Sequence, residues 1–247
     1  MIPLKSPEDL IKLKRSGIIL ASVMQKLQAF LRPGMTTLDI DLLSEELIRK
    51  EKAKAAFKGY KGFPGTACVS VNEEIVHGIP GSRVILEGDI VSIDLGVNYE
   101  GFFSDMAVTL PVGKVDNARL KLIAVTKQSL DIGIKQAQVG NYLTDISHSI
   151  QSFAEGQGLS VVRQFVGHGI GTALHEEPEI PNFGRPGLGP RLKSGMVLAI
   201  EPMINLGSWE CEIMKNGWTA VTADGACSAH FEHTVAVTDK GPVILTK

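Results

Sequence analysis

Apolar positions near the start of the chain recur at spacings close to the period of an α-helix. The face that they predict consists of Leu10, Leu13, Leu20, Val23, Leu27 and Phe30. Ser6 and Pro7 are a favoured N-cap and a favoured first helical residue, and acids follow in the first turn. Arg32-Pro33-Gly34 ends the pattern. The sequence therefore predicts a long first helix.

Three more stretches have helical patterns. Thr36 followed by Asp39 is typical of a capping box and predicts a second helix from residue 38 to about residue 52. The third helix is predicted from about 117 to 138, and the fourth from about 143 to 154. From Val161 onward, short apolar runs between Gly- and Pro-rich loops predict strands.

Two apolar runs, residues 90–95 and 102–108, flank the polar turn 98–101 and predict a β-hairpin. A symmetric four-residue loop would place Asp94 directly opposite Asp105, with Cβ atoms roughly 4.5–5.5 Å apart. Two carboxylates at that distance repel each other, and a divalent cation between them removes the repulsion. We therefore expect this hairpin to form the floor of a metal site.

Two segments of the first half recur in the second. Residues 32–40 align with 138–146, and residues 86–94 align with 193–201, so that Asp94 falls on Glu201. The repeated order, a pair of helices and then a strand ending in a carboxylate, predicts an α+β fold. We expect a single catalytic domain, 1–247, made of two related halves of about 1–110 and 111–247. Asp94 and Glu201 would then meet at a pseudo-twofold axis.

Composition excludes some classes of protein. The 247 residues carry a net charge of −2, which gives no general field for nucleic acid or for an anionic membrane. Hydrophobic residues make up 44% of the chain, enough for a sizeable core. Three cysteines without a close pair argue against a disulfide framework. The N-terminus has no apolar signal core, so we expect a cytoplasmic protein.

The second half contributes more polar candidates. His168 and His175 flank a Gly-rich run that allows both rings to approach one site. Glu201 closes an apolar run, and Glu232 lies just before an apolar strand. Charged groups in such runs are rarely buried unless they are paired or bind a metal.

Asp94, Asp105, His168, Glu201 and Glu232 together offer four carboxylates and one imidazole. Four carboxylates exceed the charge of one divalent ion, so we expect two ions that share bridging carboxylates. Oxygen-rich ligands with one histidine favour Co, Mn, Fe(II) or a similar metal over a thiolate-type zinc site. His77 and His175 remain available as proton donors or oxyanion stabilisers.

The chain resembles the type I methionine aminopeptidases of the bacterial kind over essentially its whole length. The segments that carry the resemblance are VSVNEEIVHGIP, GDIVSIDLGVNYEGFFSDMAVT, VGHGIGTALHEEP, MVLAIEPM and FEHTVAVT. This family implies a pseudo-twofold "pita-bread" fold, a curved antiparallel sheet with helices packed outside. It implies removal of the initiator methionine by a hydroxide that bridges two divalent metal ions, with a preference for a small second residue.

The resemblance also implies a role for each site residue. Asp94 would chelate one metal ion, Asp105 and Glu232 would bridge both, and His168 and Glu201 would complete the other shell. Glu201 would also accept a proton, His175 would stabilise the oxyanion, and His77 would contact the scissile amide nitrogen. The implied methionine pocket consists of Tyr60, Phe63, Cys68 and Trp218.

Two positions depart from the family pattern. Leu174 stands where many relatives have an aromatic residue, so we expect a more open pocket wall. His230 stands where an uncharged amide is expected, on the face of Glu232. It is either an adventitious ligand or a surface residue, and we favour the surface.

The partners implied are the N-termini of nascent polypeptides. The ribosome surface stays open as a partner, although no zinc-finger extension is expected to dock there, and no nucleic acid or membrane is implied. We expect a monomer. Two alternatives remain open: a proline-directed peptidase of the prolidase or aminopeptidase P kind, which carries an additional N-terminal domain, and a metal-free module that binds peptides in the same cleft.

Overall fold

The computed structural model describes residues 2–247, and four helices lie where the periodicity predicts them. The helices are α1 (Pro7–Phe30), α2 (Thr37–Lys50), α3 (Asn117–Gln136) and α4 (Leu143–Gly156). Ser6 and Thr36 each form a capping box with an aspartate three residues later. The predicted ends differ by no more than two residues, which is the usual uncertainty at frayed helix ends. No helix of residues 2–247 is both long and apolar enough to cross a membrane.

The rest of the chain forms short strands joined by loops. The strands are β1 (Lys54–Ala55), β2 (Ala67–Val71), β3 (Glu74–Val76), β4 (Ile90–Tyr99), β5 (Phe102–Pro111), β6 (Ser160–Val161), β7 (Val166–Gly169), β8 (Glu176–Pro181), β9 (Val197–Ile200), β10 (Met203–Asn205), β11 (Cys211–Ile213), β12 (Ala220–Thr222), β13 (Ser228–His230), β14 (His233–Thr238) and β15 (Gly241–Ile244). A single 3₁₀ turn spans Tyr60–Gly62. The predicted change from helices to strands after residue 160 is confirmed.

The strands form antiparallel sheets with a shared core. In the first large sheet, β4 pairs with β1, β2 and β5, and the second large sheet has the order β15-β14-β9-β7-β8. Two three-stranded sheets have the orders β13-β10-β6 and β11-β12-β3. One cluster of buried side chains includes residues of all four helices and of both large sheets. The helices therefore pack against sheets that a single core joins.

The central hairpin forms, but its predicted register is wrong. Its turn has two residues, Glu100 and Gly101, with φ of 51° and 86°, as a tight primed turn requires. Asp94 therefore pairs with Ala107, and Asp105 pairs with Gly96. Because the shift is two residues, Asp94 and Asp105 remain on the same face of the sheet, as diagonal rather than direct neighbours. Asp94 also lies inside β4 rather than at the end of a strand.

The segments that align between the two halves of the sequence also make equivalent contacts in the structure. These are the bridges Thr36–Val84 and Tyr142–Arg191, and the hydrogen bonds from Gly34 N to Ile85 O (2.8 Å) and from Gly140 N to Leu192 O (3.0 Å). Both of these glycines have positive φ, 88° and 93°, which explains why the same residue occurs twice. The matched contacts support the predicted halves, about 1–110 and 111–247, and this division of the chain stays a prediction.

A buried carboxylate on α2 fixes the backbone that enters β2. Asp41 accepts hydrogen bonds from Thr66 N (2.7 Å) and from Ala67 N (2.9 Å). Cys68 follows directly on this strand. Helix α2 therefore sets the position of a strand that reaches the cavity described below.

Replacing Asp41 with alanine would leave two buried N–H groups without an acceptor. We expect Asp41→Ala to lower the free energy of unfolding by about 2 kcal/mol, measured by urea denaturation in the presence of a chelator. Asp41→Asn keeps an acceptor oxygen and should lose less than half as much. Equal losses in the two variants would contradict this role.

Candidate active site

A cavity of about 170 Å³ lies between the two large sheets and contains every site residue predicted from the sequence. Its lining residues are Phe57, Tyr60, Lys61, Phe63, Cys68, His77, Asp94, Asp105, His168, Leu174, His175, Glu201, Trp218 and Glu232. Sequence reasoning missed Phe57 and Lys61. Both lie in the same Gly- and aromatic-rich segment as Tyr60 and Phe63, and this clustering could have indicated them.

Hydrogen bonds between β5 and the segment around β14 bring two of the carboxylates together. Thr234 Oγ1 accepts from Asp105 N (2.9 Å) and donates to Asp105 O (2.8 Å). Next to this pair of hydrogen bonds, Glu232 N donates to Ala107 O (2.9 Å); Ala107 lies two residues after Asp105, and Glu232 lies two residues before Thr234. Glu232 lies in the short break between β13 and β14, and only 2% of it is exposed. Asp105 and Glu232 are therefore fixed side by side, although 127 positions separate them in the chain.

His168 faces this pair from β7. One oxygen of Asp105, one oxygen of Glu232 and one nitrogen of His168 lie within 4.8 Å of one another. His168 Nδ1 lies 2.9 Å from Gly169 O, and we assign the ring hydrogen to Nδ1, which donates to that carbonyl. Nε2 then presents a lone pair 4.0 Å from Asp105 Oδ2 and 3.5 Å from Glu201 Oε1. A histidine that ligates a metal commonly has this arrangement.

Burial of so many carboxyl groups in one place raises their pKa values. Burial raises the pKa of Asp94 and of Glu201 to about 7. Burial also raises the pKa of Asp105 and of Glu232 well above the usual range, and the charges of neighbouring carboxylates add to the effect. Without cations, these groups therefore keep their protons to higher pH than exposed carboxyl groups do.

Two buried oxygens in the cavity have no hydrogen-bond partner within residues 2–247, Asp94 Oδ1 and Glu232 Oε1. A buried acceptor without a partner costs free energy, and it calls for a ligand. The oxygen-rich donor set, the free lone pair of His168 and these two oxygens all fit divalent metal ions.

Two neutral imidazoles form another side of the cavity. Burial lowers the pKa of His175 to about 3 and that of His77 to about 4. The ring of His175 lies 4.2 Å from the ring of His168 and stacks on Tyr60 at 5.2 Å. The predicted approach of His168 and His175 to one site is confirmed. Each neutral ring offers one N–H donor to a bound molecule.

The backbone at His77 is held in an unusual conformation. His77 has φ of 59°, which is uncommon for a residue other than glycine. A Cβ atom on the next residue, Gly78, would lie 2.3 Å from Val69 O, so only glycine allows this approach to β2. Thr219 Oγ1 donates to His77 O (3.2 Å). These contacts fix the direction of the imidazole.

The loop that carries Leu174 and His175 is tied to the start of the chain. Glu176 accepts from Thr172 N (2.8 Å) and from Ala173 N (3.2 Å), and its carboxylate also lies 2.5 Å from Lys5 Nζ. Both side chains of the ion pair are less than a tenth exposed. This buried pair closes the loop and fixes it beside the cavity.

Aromatic side chains form the apolar part of the cavity. Phe63 and Trp218 meet edge to face at 5.2 Å, and Trp218 also meets His77 at 6.3 Å. Cys68 and Leu174 complete a buried apolar cluster with Phe63. The result is an apolar recess beside the polar group of carboxylates.

The surface position that we favoured for His230 is wrong. The side chain is only 2% exposed, and its Nε2 lies 3.6 Å from Glu201 Oε2. The sequence pattern did not show this, because β13 ends at His230 and the chain turns inward before β14 begins. His230 is therefore buried against the cluster of carboxylates.

With the geometry described, the chain can be compared with known proteins. Residues 11–239 match the model of metallopeptidase family M24. The chain belongs to this family. It is 52% identical over 246 residues to a methionine aminopeptidase of Clostridium perfringens, covering 100% of this chain and 99% of that one.

Two solved structures have the same fold as this chain. A crystal structure of a methionine aminopeptidase from Thermotoga maritima has a TM-score of 0.98 and 46% identity, with both chains covered completely. An Xaa-Pro dipeptidase from Bacillus anthracis has a TM-score of 0.78 and 21% identity, and this chain covers 62% of it. The predicted resemblance to bacterial methionine aminopeptidases and the predicted α+β pita-bread fold are confirmed.

The raised carboxyl pKa values of this M24 chain predict that metal ions and protons compete. Below about pH 7, Asp94 and Glu201 are protonated in the metal-free protein, and binding must displace those protons. We expect Mn(II) affinity to fall by about tenfold per pH unit for each proton displaced between pH 7 and pH 6. Calorimetric titration in buffers of different ionisation enthalpy measures both quantities. Affinity that is independent of pH over this range would contradict the prediction.

Proposed function

We propose that the chain is a metal-dependent aminopeptidase that removes the initiator methionine from nascent polypeptides. The observation that carries this proposal is the juxtaposition in one cavity of a buried group of four carboxylates and a histidine with an apolar aromatic recess. The 52% identity to a relative named methionine aminopeptidase supports it. Since nascent polypeptides are made in the cytoplasm, we propose that the chain acts there.

We propose that Asp94, Asp105, His168, Glu201 and Glu232 would hold two divalent metal ions, to both of which Asp105 and Glu232 would contribute. Their proximity supports this assignment: Asp105, Glu232 and His168 lie within 4.8 Å of one another, and Glu201 lies 3.5 Å from His168. When bound, the ions supply a Lewis acid for the peptide carbonyl and lower the pKa of water. Co, Mn and Fe(II) all suit this donor set.

The chain's own side chains supply the remaining steps. Glu201 accepts a proton from the attacking water, as a carboxylate within hydrogen-bond reach of that water can do. His175 is neutral, and its N–H donates to the oxygen of the developing tetrahedral centre. His77 contacts the amide nitrogen of the scissile bond.

The apolar recess is proposed as the methionine pocket. Tyr60, Phe63, Cys68, Leu174 and Trp218 line it. Aromatic rings give the thioether sulfur favourable contacts of roughly 0.3–1.5 kcal/mol. The second residue of the substrate lies toward His77, where Phe165 meets the imidazole edge to face at 5.4 Å. We propose that this crowding favours a small second residue.

A peptide series distinguishes this function from its alternatives. We expect cleavage of a peptide that begins Met-Ala, and no cleavage of peptides that begin Met-Lys, Leu-Ala or Ala-Pro, in the presence of Mn(II) or Co(II). A chelator should abolish the reaction. Cleavage of the Ala-Pro peptide alone would favour the proline-directed peptidase. Tight binding of peptides to the metal-free protein without any cleavage would favour the binding module.

Removal of the proposed proton acceptor tests the mechanism. We expect Glu201→Ala to lower kcat for the Met-Ala peptide by at least about 100-fold, because proton transfer and a metal ligand are lost together. Asp105→Ala should lose most of its activity as well. Glu212→Ala, on the exposed strand β11, serves as the control and should keep its activity. Turnover by Glu201→Ala at the control's rate would exclude the mechanism.

A further inference from the structure

His230 is a buried polar side chain beside the cavity whose position the proposed reaction does not explain. Both of its ring nitrogens are buried and have no hydrogen-bond partner within residues 2–247. An unpartnered polar group at such a depth costs free energy, so its position requires a reason. The only carboxylate found within 4 Å of its ring nitrogens in the described part of the chain is that of Glu201.

Glu201 lies between two imidazoles, and each faces a different oxygen. Oε1 lies 3.5 Å from His168 Nε2, and Oε2 lies 3.6 Å from His230 Nε2. The two rings differ in chemistry. His168 donates its hydrogen to Gly169 O through Nδ1, so a lone pair faces Oε1, and this contact is favourable when a metal ion or a proton lies between the two atoms. Neither nitrogen of His230 is engaged, so Nε2 can carry the ring hydrogen.

We propose that His230 is a positioning residue: across 3.6 Å its Nε2–H attracts Oε2 of Glu201, so that Oε1 stays directed toward the proposed metal site beside His168. This inference rests on the metal site of the proposed function. It extends that function by assigning opposite tasks to the two oxygens of one carboxylate, metal binding to Oε1 and orientation to Oε2.

The backbone holds the ring of His230 in place for this task. His230 N donates to Thr109 Oγ1 (2.8 Å), and Thr109 Oγ1 donates to His230 O (2.8 Å). Thr109 lies on β5, the strand that carries Asp105. β13 also pairs with β10 at Met203, two residues after Glu201. The donor and the carboxylate that it orients are therefore fixed relative to the same strands.

His230 lies behind the carboxylates rather than among the ligands. The close group of ligand atoms comprises Asp105, His168 and Glu232, and within residues 2–247 the lining of the cavity does not include His230. A direct metal–imidazole bond is thus the competing interpretation, and the experiment must separate it from orientation through Glu201.

Two amide variants provide that separation. The amide nitrogen of glutamine reaches about as far as Nε2 of histidine, whereas that of asparagine reaches only about as far as Nδ1. Mn(II) affinity of the chelator-treated protein is measured by calorimetry. We expect His230→Gln to remain within threefold of the wild type, and His230→Asn to bind Mn(II) about 10–100-fold more weakly, as is usual when a partner of a metal ligand is lost.

The absorption spectrum of the Co(II)-substituted protein provides a second readout. Since glutamine replaces a donor to Glu201 and no ligand, His230→Gln should leave the ligand-field bands unchanged. Wild-type affinity in the asparagine variant would overturn the inference. Equal weakening in both variants, with shifted Co(II) bands for His230→Gln, would overturn it in favour of direct ligation.

The failure of this inference is distinguishable from failure of the proposed function. If the wild-type protein binds no Mn(II) and cleaves no Met-Ala peptide, the proposed function fails, and the inference fails with it. If the wild type binds and cleaves while both variants match it, only the role of His230 fails. Urea denaturation of the metal-free variants confirms that each is folded before the titrations are compared.

Discussion

The electrostatic cost of placing four carboxylates in one buried cavity constrains the rest of the structure. Burial raises the pKa of each of them, so the metal-free protein relieves the cost by keeping protons. Carboxylates that are buried together do not stabilise the folded state by themselves. Other parts of the chain must therefore hold them in position. Here the fixing contacts are neutral hydrogen bonds, such as those of Thr234 with Asp105.

Uncharged groups also hold other site residues around the cavity. Thr109 holds the backbone of His230, and Gly169 accepts the ring hydrogen of His168. None of these partners carries a charge, so none competes with a cation for the carboxylates. The ion pair of Lys5 with Glu176 is buried, and within residues 2–247 neither residue lines the cavity. A permanent cation nearer the carboxylates would neutralise them and weaken metal binding.

The sequence predicted the helices well, and it predicted that the site residues come together, although not their exact pairing. The reasons can be identified. Helix caps such as Ser6 and Thr36 act within one turn, so the local pattern contains them fully. The register of the hairpin was wrong because a four-residue and a two-residue turn fit the same polar segment, and only φ at Glu100 and Gly101 separates them. Asp94 and Asp105 still share a face because the error was an even number of residues.

Local sequence patterns could not predict contacts between segments that are distant in the chain. The burial of His230 depends on a break between two short strands, and strand periodicity alone cannot place such a break. Lys5 and Glu176 are 171 positions apart, and no spacing rule connects them. The internal echo supplied part of this long-range information, because it aligned Asp94 with Glu201 and so placed carboxylates of both predicted halves in one cavity.

The side chains that line the cavity are exposed at one end and buried at the other. This difference explains why the end of a substrate polypeptide suits the cavity better than its middle. Asp105 and Glu232 are at most 4% exposed, whereas Tyr60 and Trp218 are partly exposed and Lys61 is exposed at the opening. The strands that carry the carboxylates thus close the inner end. A polypeptide that continued past the carboxylates would have to pass through β4 and β5, which hydrogen-bond each other along their whole length. A chain that ends at the carboxylates therefore suits the cavity, and its free amine would lie beside their oxygens.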